Sequence, residues 1–261
     1  MTQPDRTREA VPPHAVRVVA SRQRWSAVTF LHWAYPPDTI RRFLPRGLQV
    51  DVVDDAAWVA VTPLVMQRVR ASVLPPVPGW SDFAEVNVRT YVRHPASGTT
   101  GLWFFTLLCP RAAMVGAMRV VGLPYQQVPL VATRSSGAVR YRGPHAQDGD
   151  GGLDLEVRPG GRVVDPGPWL DAVTGRWNAY VLRLGRLWRV PVAHPPWPLY
   201  RATCDGAAGA EGLLASVGLP APAGAPVVTW SPGVDTRIGV PRPATARPHC
   251  RDQDPSRPPP G

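Results

Sequence analysis

No lysine occurs anywhere in the 261 residues, so all 29 basic side chains are arginines and they alone carry the net charge of +10. The absence removes every mechanism that needs a side-chain amine, whether Schiff base, lysine general base or phosphate-loop lysine. Cysteine is scarce too. Cys109, Cys204 and Cys250 lie far apart and none belongs to a C-x-x-C pair, which argues against a zinc site or a disulfide framework. No two histidines sit at ligand spacing, so no metal and no cofactor is expected. Long hydrophobic runs are also missing. The longest, around "LWFFTLLC", is too short to span a bilayer, and the first twenty residues lack the apolar core of a signal peptide. These absences lead to the expectation of a cytoplasmic protein with no membrane partner.

The arginines are scattered among strand-like runs and turns. Even "RWNAYVLRLGRLWRV", residues 176–190, mixes them with aromatics as a strand pair would, and no nucleic-acid partner is expected. Nearly half of the residues are apolar, ten of them tryptophan, which is enough to bury a core. With 33 prolines and 24 glycines, long helices have little room.

Residues 1–20 and the tail 243–261 are rich in proline and charge and are expected to be disordered, leaving a single domain over 21–242. Within it short strand-like runs recur, among them "WSAVTFLHW", "AAWVAVTPLVMQRV", "EVNVRTYV", "GLWFFTLL", "QQVPLVA" and a last pair near "PVVTW" and "TRIGV". They predict a mainly β or α+β sheet system, curled or closed. Three short helices fit between them. "PPDTIRRFLP" has Pro37 at its start; "PRAAMVGAMRVVGLP" is apolar nearly all round and therefore predicted to be buried; "AEGLLASVG" is the third.

One stretch raises the question of function. In "EVNVRTYVR", residues 85–93, Glu85, Asn87, Arg89 and Tyr91 alternate with Val86, Val88, Thr90 and Val92. Alternation of this kind ordinarily marks a half-buried strand whose polar side meets solvent.

The order "FLHWAYPPDTIRRFLPRGLQVDVVDDAAWVAVTPLVM", "EVNVRTYV", "LWFFTL", "GLPYQQ", "PPWPLY" and "SPGVDTRI", over about residues 22–240, resembles the YqjF-like family, a domain of unknown function in the acetoacetate decarboxylase-like superfamily. The resemblance implies a curled antiparallel sheet closing into a cone-like barrel around an internal cavity, with a few short helices packed outside. It also implies that Glu85, Asn87, Arg89 and Tyr91 point into that cavity while the valines pack outward. A buried Glu and Arg on one face then need each other or a ligand.

The resemblance also exposes a departure. Decarboxylases of the superfamily carry two lysines after a Gly-aromatic-Pro turn, the first forming the imine and the second depressing its pKa. The matching residues here are Gly122-Leu123-Pro124-Tyr125-Gln126. Imine chemistry is excluded as far as side chains go, which leaves acid/base or binding chemistry. Glu85 and Tyr125 are the candidate catalytic pair. Arg89 is the candidate carboxylate anchor, with Asn87, Tyr91, His32 and Trp103 completing the candidate ligand-binding set. His32 also reads as an ordinary sheet histidine, Trp103 as core, and His194 as the rim of a rigid Pro-rich loop. The Ser231–Asp235 segment reads as a turn and lacks the G-x-S-x-G context of a serine hydrolase. Three readings stay open: a binder of a small anionic or carbonyl-bearing molecule, a lysine-independent lyase, isomerase or hydrolase, and a structural module. Homo-oligomerisation is open in each.

Overall fold

The computed structural model describes residues 16–77, 81–144 and 152–245. In chain order its elements are β1 (Val19–Tyr35), α1 (Pro37–Arg41), β2 (Gln49–Val50), β3 (Ala57–Ala71), β4 (Phe83–His94), β5 (Thr99–Cys109), α2 (Ala112–Val121), β6 (Tyr125–Gln127), β7 (Val131–Ser135), β8 (Ala138–Gly143), β9 (Leu153–Arg162), α3 (Gly167–Thr174), β10 (Asn178–Arg183), β11 (Arg186–Ala193), β12 (Tyr200–Asp205), α4 (Ala207–Ser216), β13 (Val227–Gly239) and β14 (Arg242–Pro243). The terminal segments expected to be disordered lie outside the described residues over 1–15 and 246–261. Of the positions in these segments that are described, Val19 and Ala20 belong to β1, and Pro243 pairs with Trp188.

Pairing runs β11-β10-β5-β4-β3-β1-β13, and β13 pairs back onto β11 through Val192↔Ile238 and Ala193↔Arg237. Seven strands therefore close a ring. All of its joints are antiparallel except the short parallel seam between β10 and β5. From β13 the sheet continues as β12-β9-β8-β7. This extension packs against the outside of the ring, because Leu155 and Val157 of β9 share one cluster with Val86 and Val88 of β4 and with Leu213 and Leu214 of α4.

A second cluster occupies the other face of β4. Phe83 and Tyr91 meet Phe30, Leu64, Leu107 and Val173 there. Strict alternation thus gives β4 two buried faces, one against each core. The polar set of "EVNVRTYVR" lies on the inner one.

Several expectations change. The runs "PVVTW" and "TRIGV" form one strand, β13, and the Ser231–Asp235 segment is part of it. Gly233 lies at φ +124°, and a Cβ at that position would overlap the carbonyl oxygen of Trp25 on the paired strand. "QQVPLVA" splits into β6 and β7 at Pro129, whose ring nitrogen has no hydrogen to give a ladder. Helix α2 is not buried all round. Met114 and Val115 reach the inner core, whereas Val120 is 67% exposed. The remaining apolar positions of α2 are mostly alanine and glycine, which lose little by facing water. Gly122 ends the helix in the left-handed region at φ +100°, returning the chain toward the sheet. Helix α3, not expected from the sequence, sends Leu170 and Val173 into the inner core. Among the described residues no helix is long and apolar enough to cross a membrane.

Candidate functional site

Glu85, Asn87 and Arg89 are 4%, 5% and 8% exposed and line one cavity of about 130 Å³ inside the ring. Its wall is otherwise largely apolar, with Phe30, Leu64, Phe104 and Trp197 prominent and Thr62, Tyr125, Arg176 and His194 adding polar groups. Tyr91 is fully buried beside this wall. Its hydroxyl lies 2.7 Å from Nε2 of His32, so these two expected ligand residues form a pair behind the cavity.

Tyr125 comes to Glu85 through the turn after α2. Strand β6 runs parallel to β5 with Leu107 opposite Tyr125, and the Leu107 N–H donates to the Pro124 carbonyl at 3.1 Å. The phenol then donates to Oε2 of Glu85 at 2.7 Å. Burial pushes the Glu85 carboxyl up to about 7, against the hydrogen bonds from Tyr125 and Asn87 and the nearby Arg89 charge. Burial and the facing carboxyl push the Tyr125 phenol well above its ordinary value. Glu85 is thus placed to hold or release a proton near neutral pH, with Tyr125 as its hydrogen-bond donor.

Arg89 does not pair with Glu85. The two are four positions apart on an extended strand, about 13 Å along its axis, with Asn87 between them. Glu85 turns to Tyr125 instead. The Arg89 guanidinium lies 5.4 Å from the centre of the Phe30 ring, and its Nε has no hydrogen-bond partner. Among the described residues it joins no ion pair, and burial lowers its pKa. The buried ion pair of this interior is a different one: Arg176 Nη1 to Asp51 Oδ2 at 2.7 Å. Arg176 also covers the Tyr91 ring at 5.2 Å. Asn87 Oδ1 and Thr62 Oγ1, both on the cavity wall, are likewise buried without a partner.

Burial holds the two histidines nearest the cavity, His32 and His194, in the neutral form near pH 7. Burial, then Arg89, lowers His32 to about 3. Burial lowers His194 to about 4, with Arg89 acting in the same direction. His194 is no mere rim residue. It lines the cavity among three indoles, with ring centroids 4.6 Å from Trp177, 4.7 Å from Trp197 and 6.0 Å from Trp25.

Trp103 is not brought to the cavity. Strand β5 carries an extra residue, Phe105, where Val88 faces Thr106 but Arg89 faces Phe104. Phe104 and Leu102 therefore face inward, while Trp103 packs outside with Leu48, Val92 and Tyr180. Sequence reasoning missed Asp51, Thr62 and Phe30. The last two share the inward parity of their strands and were readable by alternation. Nothing in "LQVDVVDD" singled out Asp51 from its acidic neighbours.

The profile of the DUF2071 family, described as an uncharacterized conserved protein, matches residues 22–235. The chain belongs to this family. The uncharacterized protein YqjF of Bacillus subtilis (strain 168) is 29% identical over 187 residues, covering 70% of this chain and 76% of that one. Two solved structures share the fold of this DUF2071 chain. An acetoacetate decarboxylase-like enzyme from Sphingomonas wittichii RW1 superposes with TM-score 0.58 at 14% identity, covering 90% of this chain and 97% of that chain. The enduracididine biosynthesis enzyme MppR complexed with pyruvate gives TM-score 0.60 at 15% identity, with coverages of 88% and 93%. At these identities the likeness establishes an acetoacetate decarboxylase-like fold and nothing about chemistry.

Proposed function

We propose that this DUF2071 chain binds a small anionic or carbonyl-bearing molecule in the ring cavity, without imine chemistry. One observation carries the reading: Arg89 is a buried guanidinium on the cavity wall with no carboxylate partner among the described residues. Asp51 neutralises Arg176. With Glu85 protonated, Arg89 is a buried positive charge that no carboxylate of the described residues offsets and that a ligand anion would offset. Leaving a cation buried and unpaired is costly, so a filled site is the better-solvated state. Size agrees with a small ligand. A cavity of about 150 Å³ takes benzene, and this one, at about 130 Å³, suits roughly half a dozen heavy atoms. The pyruvate complex of MppR, a fold neighbour, adds an example of a small oxo acid held by this architecture.

The test is Arg89→Met, a substitution of similar length without the charge. The free variant should melt higher than wild type because an unpaired buried cation is gone, and pyruvate or acetoacetate should no longer raise its melting temperature. Mass spectrometry of natively purified protein should find a co-purifying small acid in wild type and none in the variant. A variant that melts lower and still shifts upward with either acid sinks the reading.

The Glu85–Tyr125 hydrogen bond favours a second reading, an acid/base enzyme. A carboxylate titrating near 7 is suited to removing a proton next to a carbonyl. Deuterium uptake at the methyl group of pyruvate in D2O, followed by proton NMR, should then be accelerated by wild type and not by Glu85→Gln. Equal uptake with both leaves binding alone.

A further inference from the structure

The polar atoms of the cavity wall differ in kind, and the difference narrows the ligand. Arg89 Nε–H and Arg176 Nε–H are donors without an acceptor, the unpartnered Thr62 hydroxyl can act either way, and Asn87 Oδ1 is an acceptor without a donor. His194 adds a second acceptor. Its Nδ1 lies 2.7 Å from the Pro195 carbonyl oxygen, a contact only an N–H can make, so the proton sits on Nδ1 and the lone pair on Nε2. Trp177, Trp197 and Trp25 hold the ring in that orientation. With Nδ1 taken, Nε2 is the nitrogen left to meet a ligand in the cavity His194 lines. Tyr125 has already given its hydrogen to Glu85.

A simple oxo acid carries only acceptors. Its carboxylate suits Arg89, but its ketone oxygen would set lone pair against lone pair at His194 Nε2 and at Asn87 Oδ1. A hydroxyl in the ketone's place removes the conflict at His194, because its one O–H donates to Nε2. We propose that the ligand of this cavity is a short hydroxy acid, its carboxylate on Arg89 and its hydroxyl donating to Nε2 of His194. The inference rests on the anion-binding reading of the same cavity and goes beyond it by assigning the second polar group of the ligand and the residue that selects it.

Matched pairs test it on the full chain: pyruvate against D- and L-lactate, and acetoacetate against D- and L-3-hydroxybutyrate, each by isothermal titration calorimetry. A site built to pair a hydroxyl discriminates strongly against the analogue that lacks it. One enantiomer of at least one hydroxy acid should bind about tenfold or more tighter than its oxo partner. His194→Phe should bring the pair to parity, and His194→Gln, which keeps an acceptor, should retain part of the preference. Should His194→Phe fail to fold, the wild-type ratio and the Gln variant still decide. The inference is overturned if the oxo acid of each pair binds as tightly as its hydroxy partners, if the preference survives His194→Phe, or if wild type binds none of the six. Arg89→Met separates the two levels. Binding that Arg89→Met abolishes while oxo acids win removes only the hydroxyl assignment, whereas binding that Arg89→Met leaves unchanged removes the anion reading itself.

Discussion

Burial raises the Glu85 carboxyl from 4.5 to about 7 and lowers His32 and His194 from 6.5 to about 3 and about 4, so the three groups act on stability in opposite directions as pH changes. Between pH 4.5 and 7 the folded chain keeps a proton on Glu85 that the unfolded chain has released. This contribution is fully present below pH 4.5 and is lost as pH rises through 7. For the histidines the unfolded chain takes up protons below 6.5 that the folded chain refuses, so their contribution is full above 6.5 and is lost as pH falls toward 4 and 3. From these three groups wild type should therefore gain stability up to about pH 6.5, where His32 and His194 together outweigh Glu85, and level off near pH 7, where the two effects cancel. Glu85→Gln isolates the carboxyl. At about 1.4 kcal/mol per pH unit, the variant should gain roughly 3 kcal/mol on wild type between pH 4.5 and just above 7, read from urea denaturation at a series of pH values. Parallel curves for the two proteins would show that Glu85 ionises as an exposed carboxyl does.

At the scale of elements, what was legible in the sequence was whatever repeats locally. The alternation of "EVNVRTYVR" marked β4, and Pro37 and Gly122 marked a helix start and a helix end. Which face of β4 turns inward was not readable from alternation, since both faces are buried against different cores. It came from the order of motifs along the chain. Helix α3 escaped because it has only eight residues, with Gly167 and Pro168 at its start and Gly175 after its end, too short for an apolar period to stand out. The extra residue in β5 escaped because nothing in "LWFFTLL" says which aromatic breaks the alternation, and the consequence is that Phe104 holds an inward place and Trp103 does not. Reading Ser231–Asp235 as a turn failed because Pro232 and Gly233 look like turn residues, yet the segment stays in the ladder of β13, with Gly233 opposite Ser26. Gly233→Ala puts a Cβ into the Trp25 carbonyl on backbone with positive φ, and should cost roughly 3 kcal/mol or more in urea denaturation. Gly161→Ala in β9, where a Cβ meets nothing within 4 Å and φ is ordinary, should stay within about 0.5 kcal/mol of wild type. Equal effects at the two sites would show that the close approach of Gly233 to the Trp25 carbonyl does not hold this joint of the ring.

For the molecule as a whole, the architecture and its side chains separate two things that the resemblance joins. The chain has an acetoacetate decarboxylase-like fold, yet the position the resemblance gives to the imine-forming lysine holds Tyr125. An imine needs a primary amine, and apart from its N-terminus the chain has none. The Tyr125 phenol is no substitute nucleophile. Burial and Glu85 keep it protonated far above neutral pH, and its hydrogen is committed to the carboxyl 2.7 Å away. With this hydrogen bond where the resemblance puts a lysine, the cavity wall has no side-chain amine to capture a carbonyl covalently. Treatment with borohydride in the presence of pyruvate or acetoacetate should therefore leave the intact mass unchanged once the N-terminal amine is blocked by acetylation. Calorimetry on the same acetylated sample should still detect acid binding that depends on Arg89. A reduced adduct mapping to any peptide within residues 22–235 would mean that another nucleophile captures the carbonyl. The separation of fold from chemistry argued here would then be wrong.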